Sequence, residues 1–417
     1  MSDIQVGSMP FREAIKHFQE KLLIPSRQWD DLLGPVNAKA FTVAGANKLD
    51  IVSDFYESIR SLVESGGTLN DFRKDFDNIV AKHGWSYNGK RGWRTRVILQ
   101  TNKNSSYMAG KWEQMWRVRE ARPFLQYKDV GDERVRESHH FWNNKVFPID
   151  HPIWKVIYPP NDWLCRCNVR SLSTDDMEEE GLSVSKADIP EKIEVTDPQS
   201  GEVRKTHKGI GVGWDYNVGR EWLAPEALFG QKLMLVPSDL REAALDNLDL
   251  NHFKKPFKSM VNKVAYQIAK GKVNASGNVL AAGYISNQVL EELFERQVYP
   301  VGLAVVAKDA DIAHMLRSTK SSRGATVPMS VASEIPDIVT NPDAVLWDKE
   351  DPALIYVRRL ANGQYAKFVI RLNIKTKMNV AKVRFNEALN AIKTAGIVKW
   401  EDLNAARYEL ITGDISR

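Results

Sequence analysis

The only two cysteines of the chain sit one residue apart, at the end of Trp154-Lys-Val-Ile-Tyr158-Pro159-Pro160-Asn-Asp-Trp163-Leu-Cys165-Arg166-Cys167. A histidine-rich segment, Ser138-His139-His140-Phe141-Trp142, lies just before this stretch. Paired prolines interrupt regular structure, and tryptophans flank them on both sides. Such density predicts a tightly built loop site rather than a generic core. The surrounding region, Pro123 to Leu172, is rich in aromatics, prolines and short strand-like pieces. It reads as an irregular β-containing subdomain.

Two cysteines in 417 residues do not make a disulfide framework. Synthesis and folding in a reducing cytoplasm are expected. The length exceeds one comfortable core and points to two or three domains. A hydrophobic content of 43% and a charged content of 27% are ordinary for a globular protein. The net charge of +5 permits contact with nucleic acid, and a solvated surface explains it equally well. No apolar run approaches a membrane span. The opening Met1-Ser-Asp-Ile-Gln-Val-Gly has neither the basic nor the apolar part of a signal peptide.

Ten of the 12 tryptophans fall at or before Trp222, so the two parts of the chain read as different modules. The first opens with helices. Phe11, Ile15, Phe18 and Leu22 recur at helical spacing, with Pro25 after them. Leu49, Val52, Phe55, Ile59 and Leu62 mark a second helix, closed by Gly66-Gly67. Thr68 caps a third, with Asp71 in the capping-box position and Gly84 as its stop. Trp93 to about Glu120 reads as a longer helix. Thr196 to Gly201 has the look of a turn between strands. Residues 251–275 hold six lysines and no Asp or Glu. They read either as a basic arm that touches nucleic acid or as a solvated amphipathic helix that bridges domains. Beyond them, 301–306, 344–347, 354–357 and 366–374 read as strands, with Asn362-Gly363 as a hairpin turn and 309–317 as a short helix.

The expected fold class is therefore α+β. A helical part to about 120 leads into the irregular subdomain at about 121–175, within a first domain at 1–235. A helical, lysine-rich linker at 236–278 follows, and then a small separate α+β domain with an antiparallel sheet at 279–417.

An ordered series of motifs in the first half resembles the phage Mu F family of minor head, or head morphogenesis, proteins of tailed phages and prophages. The series runs through Pro10-Phe11-Arg-Glu-Ala14, Val43-Ala44-Gly45-Ala46, Thr68-Leu69-x-x-Phe72-Arg73-x-x-Phe76, and Gly92-Trp93-Arg94-Thr95-Arg96-Val97-Ile98 with Thr101-Asn102. The most recognisable block is Arg136-x-x-His139, Trp142, Asp150-x-Pro152-x-Trp154 and Tyr158-Pro159-Pro160-Asn161-x-Trp163-x-Cys165-Arg166-Cys167, trailed by Gly213-Trp214-Asp215-Tyr216-Asn217-x-Gly219. Family members commonly carry Gly where this chain has Asn144 and Asp162, and Pro where it has Val218, which puts the local loop geometry in question. The resemblance implies a structural part of the capsid, present in few copies near the portal and needed to assemble or package the head. It implies portal, major capsid or scaffold proteins as partners, phage DNA or host RNA as further candidates, and no membrane. The expected location is the host bacterial cytoplasm during assembly and then the virion head.

Two readings of the cysteine cluster stand side by side. In one, Cys165, Cys167 and His139 hold zinc, with His140, Asp150 or His151 as further ligands, and the metal staples an irregular subdomain. Structural zinc sites usually space cysteines by two to four residues rather than one. In the other, the cysteines are buried apolar residues flanking an Arg that pairs with Asp150 or Asp162, and no cofactor is needed. A disulfide across so short a ring is strained. A cysteine nucleophile paired with His139 has no evident oxyanion hole.

His314 is the sole histidine of 279–417 and is followed by Arg317, Lys320 and Arg323. An imidazole beside cations is what metal-independent cleavage of RNA needs: one group moves the proton, the others stabilise phosphorane charge. The region also resembles a module often fused to Mu F-type proteins and classed with the barnase/EndoU/colicin/RelE-like nuclease fold. The matching text is Gly283-Tyr-Ile-Ser286, His314-x-x-Arg317-x-x-Lys320, Ile335-Pro336, Asn341-Pro342-x-Ala344-Val345-Leu346, Leu354-Ile355-Tyr356-Val357 and Lys393-Thr394-Ala395. That resemblance implies His314 as acid/base, Arg317 and Lys320 as phosphate ligands, and Thr394 near the same cleft. A delivered, toxin-type nuclease effector is thus the alternative to a head-assembly protein. The contrasting reading of the domain is an inert appendage that binds capsid, DNA or a partner.

Overall fold

Apolar residues at helical spacing, stopped by glycines that accept left-handed backbone, build the first half of the computed structural model. The structure describes residues 11–198, 200–246, 248–271, 277–317, 326–380, 383–403 and 405–415. It divides into two compact units, one ending at Leu223 and the other beginning at Ala224.

In the first unit, helix α1 spans Arg12–Gln19, and two-residue strands β1 (Leu22–Leu23) and β2 (Ala40–Phe41) pair in parallel. Helix α2 (Leu49–Ser65) ends at Gly66, with φ of 78°. Helix α3 (Leu69–His83) begins with the expected capping box: Asp71 N–H donates to Thr68 Oγ1 (3.3 Å), and Thr68 N–H donates to the Asp71 carboxylate (3.0 Å). Gly84 closes it with φ of 58°. Phe18, Phe55, Phe72, Phe76 and Trp85 form the core of this helical part.

Helix α4 (Arg91–Arg117) joins two cores. Ile98 and Leu99 face the helical core. Met108, Trp112 and Met115 face a second one, together with Tyr127, Phe147, Trp154, Tyr158, Trp214 and Trp222. This explains the tryptophan excess of the first half. The second core lies against a three-stranded antiparallel sheet in the order β4-β3-β5, where β3 is Phe124–Lys128, β4 is Val146–Pro148 and β5 is Asn168–Leu172. One-turn helix α5 (Glu137–His140) sits between β3 and β4, and α6 (Thr174–Glu179) follows β5. Strands β6 (Lys192–Thr196) and β7 (Val203–His207) form the expected hairpin, and α7 (Val218–Leu223) ends the unit.

One buried titratable group in this unit carries a prediction. His17 on α1 is fully buried. Its Nε2 donates to the Ala38 carbonyl (2.8 Å), so Nδ1 accepts from Ser106 Oγ (3.0 Å). Burial, then the charge of nearby Lys21, holds the imidazole well below its usual range. Above pH about 6.5 both folded and unfolded forms are neutral. As pH falls below that value the unfolded chain takes up a proton that the folded chain refuses, so this stabilisation is lost on acidification. The melting-temperature gap between the native protein and His17→Gln is expected to narrow from pH 8 to pH 5. A gap that stays constant over that range would contradict this account.

In the second unit, α8 (Glu226–Leu233), α9 (Ser238–Asp246) and α10 (Asn251–Ala269) precede a seven-stranded sheet. Its strands are β8 (Val279–Tyr284), β9 (Ala304–Lys308), β10 (Ala344–Asp348), β11 (Ala353–Arg359), β12 (Tyr365–Val380), β13 (Val383–Val398) and β14 (Tyr408–Gly413), in the order β14-β10-β11-β12-β13-β9-β8. Every neighbouring pair is antiparallel except β13 with β9. Helix α11 (Asn287–Glu295) lies between β8 and β9. Helices α12 (Asp309–Leu316), α13 (Met329–Ser333) and α14 (Ile335–Thr340) lie between β9 and β10 in the chain, and α15 (Trp400–Leu403) precedes β14. The α+β class and the antiparallel character are as expected. The Asn362-Gly363 turn joins β11 to β12, with Gly363 at φ of 78°.

The domain limits differ from those read in the sequence. The units part after Leu223 rather than at 235. The backbone of Gly230 explains this: its carbonyl accepts from Leu303 N–H (3.0 Å), fastening α8 beside β9. The stretch expected as a linker at 236–278 also belongs to the second unit. Phe253, Phe257, Met260, Val261 and Val264 form a buried face of α10 that packs on β8 and on α12 to α14. Lys255, Lys258, Lys263 and Lys270 remain exposed, while Lys254 pairs with Asp337 (2.6 Å). Instead of bridging domains, this helix is a wall of one.

Candidate functional site

The turn α5 and the loop that leads into β5 bring His139, Cys165 and Cys167 together. In α5, His139 turns inward and is 2% exposed, whereas His140 turns outward to Asp129 (2.6 Å). The loop approaches through the cis Pro159–Pro160 peptide and through Leu164, whose φ is 57°. Cys165 N–H closes a turn onto the Asp162 carbonyl (3.1 Å). Two residues on, Cys167 immediately precedes β5. Both sulfurs meet the same imidazole atom: Nδ1 of His139 lies 3.7 Å from Cys165 Sγ and 3.8 Å from Cys167 Sγ. Both cysteines are free and buried.

A polar ring surrounds the three. The Tyr127 hydroxyl donates to Asn161 Oδ1 (2.8 Å) and also reaches Cys167. The Asn161 backbone N–H reaches Cys165, and Asn104 Nδ2 donates to the Cys165 carbonyl (2.9 Å). The two thiols move apart in acidity. Hydrogen bonding with Cys167, and after it with His139, holds Cys165 well below the usual thiol range despite burial. Cys167 is pushed upward by its bond to Cys165 and by burial. Thiols and an imidazole together are a donor set that suits soft and borderline cations.

Arg166, between the cysteines, does not pair with Asp150 or Asp162. It forms a bidentate pair with Asp132 (2.7 and 2.6 Å), because the 129–136 loop folds over it. Asp162 pairs with Arg136 instead (3.1 Å). Asp150 is exposed, and His151 accepts from Ile153 N–H (3.2 Å). None of His140, Asp150 and His151 joins the cluster. Asn144, where a Gly was expected, does hold left-handed backbone (φ 64°), a conformation Asn tolerates better than most residues. Asp132, Tyr127 and Asn161 were not singled out as site residues. Only Asn161 carried a sequence signal, its place after Pro159-Pro160.

Residues 54–170 match the family described as phage Mu protein F like protein. The Mu F-like segment thus runs from within α2 to within β5 and contains all three clustered residues. Similarity to two curated proteins extends far beyond it. The "Putative capsid assembly protein F" of Escherichia phage Mu is 28% identical over 429 residues, covering 95% of this chain and 93% of that protein. The "Mu-like prophage FluMu F protein" of Haemophilus influenzae is 27% identical over 417 residues, covering 93% of this chain and 99% of that protein. No solved structure matches significantly.

Outside the Mu F-like segment, the second unit places His314 on the solvent side of α12, whose Ile312, Ala313 and Met315 are buried. The sequence reads Arg317 as lying on the same short helix, 309–317, where three-residue spacing would give the two one face. The helix ends at Leu316, however, and Arg317 is extended (ψ 140°) and exposed, so that spacing does not operate. Lys320 lies outside the described residues. Thr394 is on β13, opposite Val369. Helix α12 packs on β13, and the Asp311–Lys393 ion pair (2.8 Å) ties the two. His314 and Thr394 therefore occupy adjoining elements.

Proposed function

We propose that this chain is a phage or prophage head protein that acts in head morphogenesis and DNA packaging, in contact with portal, major capsid or scaffold proteins. The observation that carries this reading is the near end-to-end similarity to the F proteins of phage Mu and of a Mu-like prophage, one of them named for capsid assembly. Because that similarity spans both units, the reading assigns the whole chain to one assembly role. The exposed lysines of α10 support contact with packaged DNA. The architecture suits such a role: two compact units, each with its own buried core, and, among the described residues, no helix long and apolar enough to cross a membrane.

The test is deletion of the gene from an inducible phage, with complementation in trans. Loss of DNA-filled heads, restored by the native gene, is the expected result, with a few copies of the chain in each purified head. A normal yield of filled heads without it would overturn the reading. A second reading, the metal-independent nuclease effector, is supported by solvent-facing His314, on a helix that packs against the strand carrying Thr394. His314→Ala in the same complementation separates the two. Unchanged head yield with loss of host nucleic-acid cleavage favours the effector, and unchanged yield with no cleavage by either protein removes it.

A further inference from the structure

We propose that His139, Cys165 and Cys167 bind one zinc ion through Nδ1 and the two sulfurs, and that this ion staples α5 to the start of β5. The donor set selects the ion: imidazole and thiolates suit zinc, whereas magnesium and calcium take oxygen. The spacing fits as well. Zn–S bonds of about 2.3 Å and a Zn–N bond of about 2.0 Å, at tetrahedral angles, require N···S edges of about 3.6 Å; the observed edges are 3.7 and 3.8 Å. All three donor atoms lie within 4.8 Å of one another.

Direct hydrogen bonding accounts poorly for the arrangement. A thiol is a weak donor and a weak acceptor, and these N···S separations are long. His139 Nε2 is buried and has no hydrogen-bond partner among the described residues. That leaves Nδ1, facing two sulfurs, as the atom free to bind a cation, with the ring proton on Nε2. The one-residue spacing of the cysteines, unusual for a structural site, is accommodated because both sulfurs face the same imidazole nitrogen. A narrow cleft lined by Asn104, Tyr107, Met108 and Pro160 reaches both cysteines, and water entering there completes the four ligands. The staple closes loops of 26 and 28 residues between His139 and the cysteines. This ties down the irregular part of the subdomain, which has little regular hydrogen bonding of its own.

The full-length chain, purified without chelator and desalted, is expected to carry about one zinc per chain by mass spectrometry. Exchange with cobalt(II) is expected to give thiolate charge-transfer absorption and the intense visible bands of a tetrahedral site. Chelator should remove the metal and lower the melting temperature, and Zn²⁺ alone should restore both. Cys165→Ser, Cys167→Ser and His139→Gln should each reduce bound zinc at least tenfold. Because such variants can misfold, the chelation and refilling of the native chain stand as an independent readout. A folded native chain with below about one-tenth of a zinc, no cobalt spectrum and a melting temperature indifferent to chelator and Zn²⁺ would overturn the proposal. So would zinc retained by the Cys165→Ser/Cys167→Ser double variant.

Discussion

Trp154→Ala is expected to destabilise the first unit by about 3–5 kcal/mol, the range for emptying a buried aromatic site. Trp154 is 1% exposed and heads the fully buried side chains by volume. Its Nε1 donates to the Pro148 carbonyl (3.0 Å), and Phe147 meets its ring edge-on at 5.8 Å. Truncation removes the apolar contacts and leaves that carbonyl without its donor. For a unit of this size the melting temperature should fall by roughly 10 °C. The transition should also broaden or split, because the helical core around Phe55 and Phe76 is a separate cluster. A loss below about 1 kcal/mol in urea titration would show that the 148–167 loop repacks freely, contrary to the close-packed site described above.

Gly110→Val is expected to cost about 3 kcal/mol, at the upper end for overpacking, through a different cause. Gly110 lies where α4 crosses α1, and a Cβ there would stand 2.6 Å from Ala14 N and 2.9 Å from the Glu13 carbonyl carbon. These are backbone atoms, so no side chain can swing aside and α1 itself must move. The built-in control is Gly92→Ala on the same helix, where a Cβ meets nothing within 4 Å; that change should be neutral or stabilise by up to about 1 kcal/mol. Soluble, equally stable Gly110→Val would mean that α1 does not pack against α4 as described.

The sequence spoke most clearly where a local rule governs the backbone. Helices α2 and α3 were legible because their apolar period, the Thr68–Asp71 box and the closing glycines act within a few residues of each other. The cysteine pair was visible for the same reason, and His139 was drawn in by the motif that surrounds it. Its true neighbours were another matter. Arg166 finds Asp132 because a loop folds back over it, and no spacing rule reports that. The later strands were hidden for a physical reason too. In β12, Asn373, Lys375 and Lys377 alternate with Ile374, Thr376 and Met378, whereas β13 carries the unbroken buried run Leu389 to Ile392 with Asn390 inside it, a pattern without period two that hides the pairing from Tyr365–Val398 to Val380–Val383. The expected strand ended at 374. The burial of Phe253 and Phe257 was likewise illegible, since the lysines of 251–275 drew attention to the polar side of α10.

The parallel contact of β13 with β9 has a consequence for how the chain is made. Asn390 sits opposite Val305, 85 residues earlier. Synthesis runs from the N-terminus, so β8 and β9 leave the ribosome long before the strand that covers them. Until β13 arrives, they stand as a two-stranded ribbon with both edges open, too small to persist alone and able to pair with another nascent chain. Closing a contact of that span is slow compared with forming the local helices of the first unit. The outer edge of β9 therefore stays uncovered until β13 has been made. A translation pause or truncation between β9 and β13 would yield a folded front half carrying an adhesive tail.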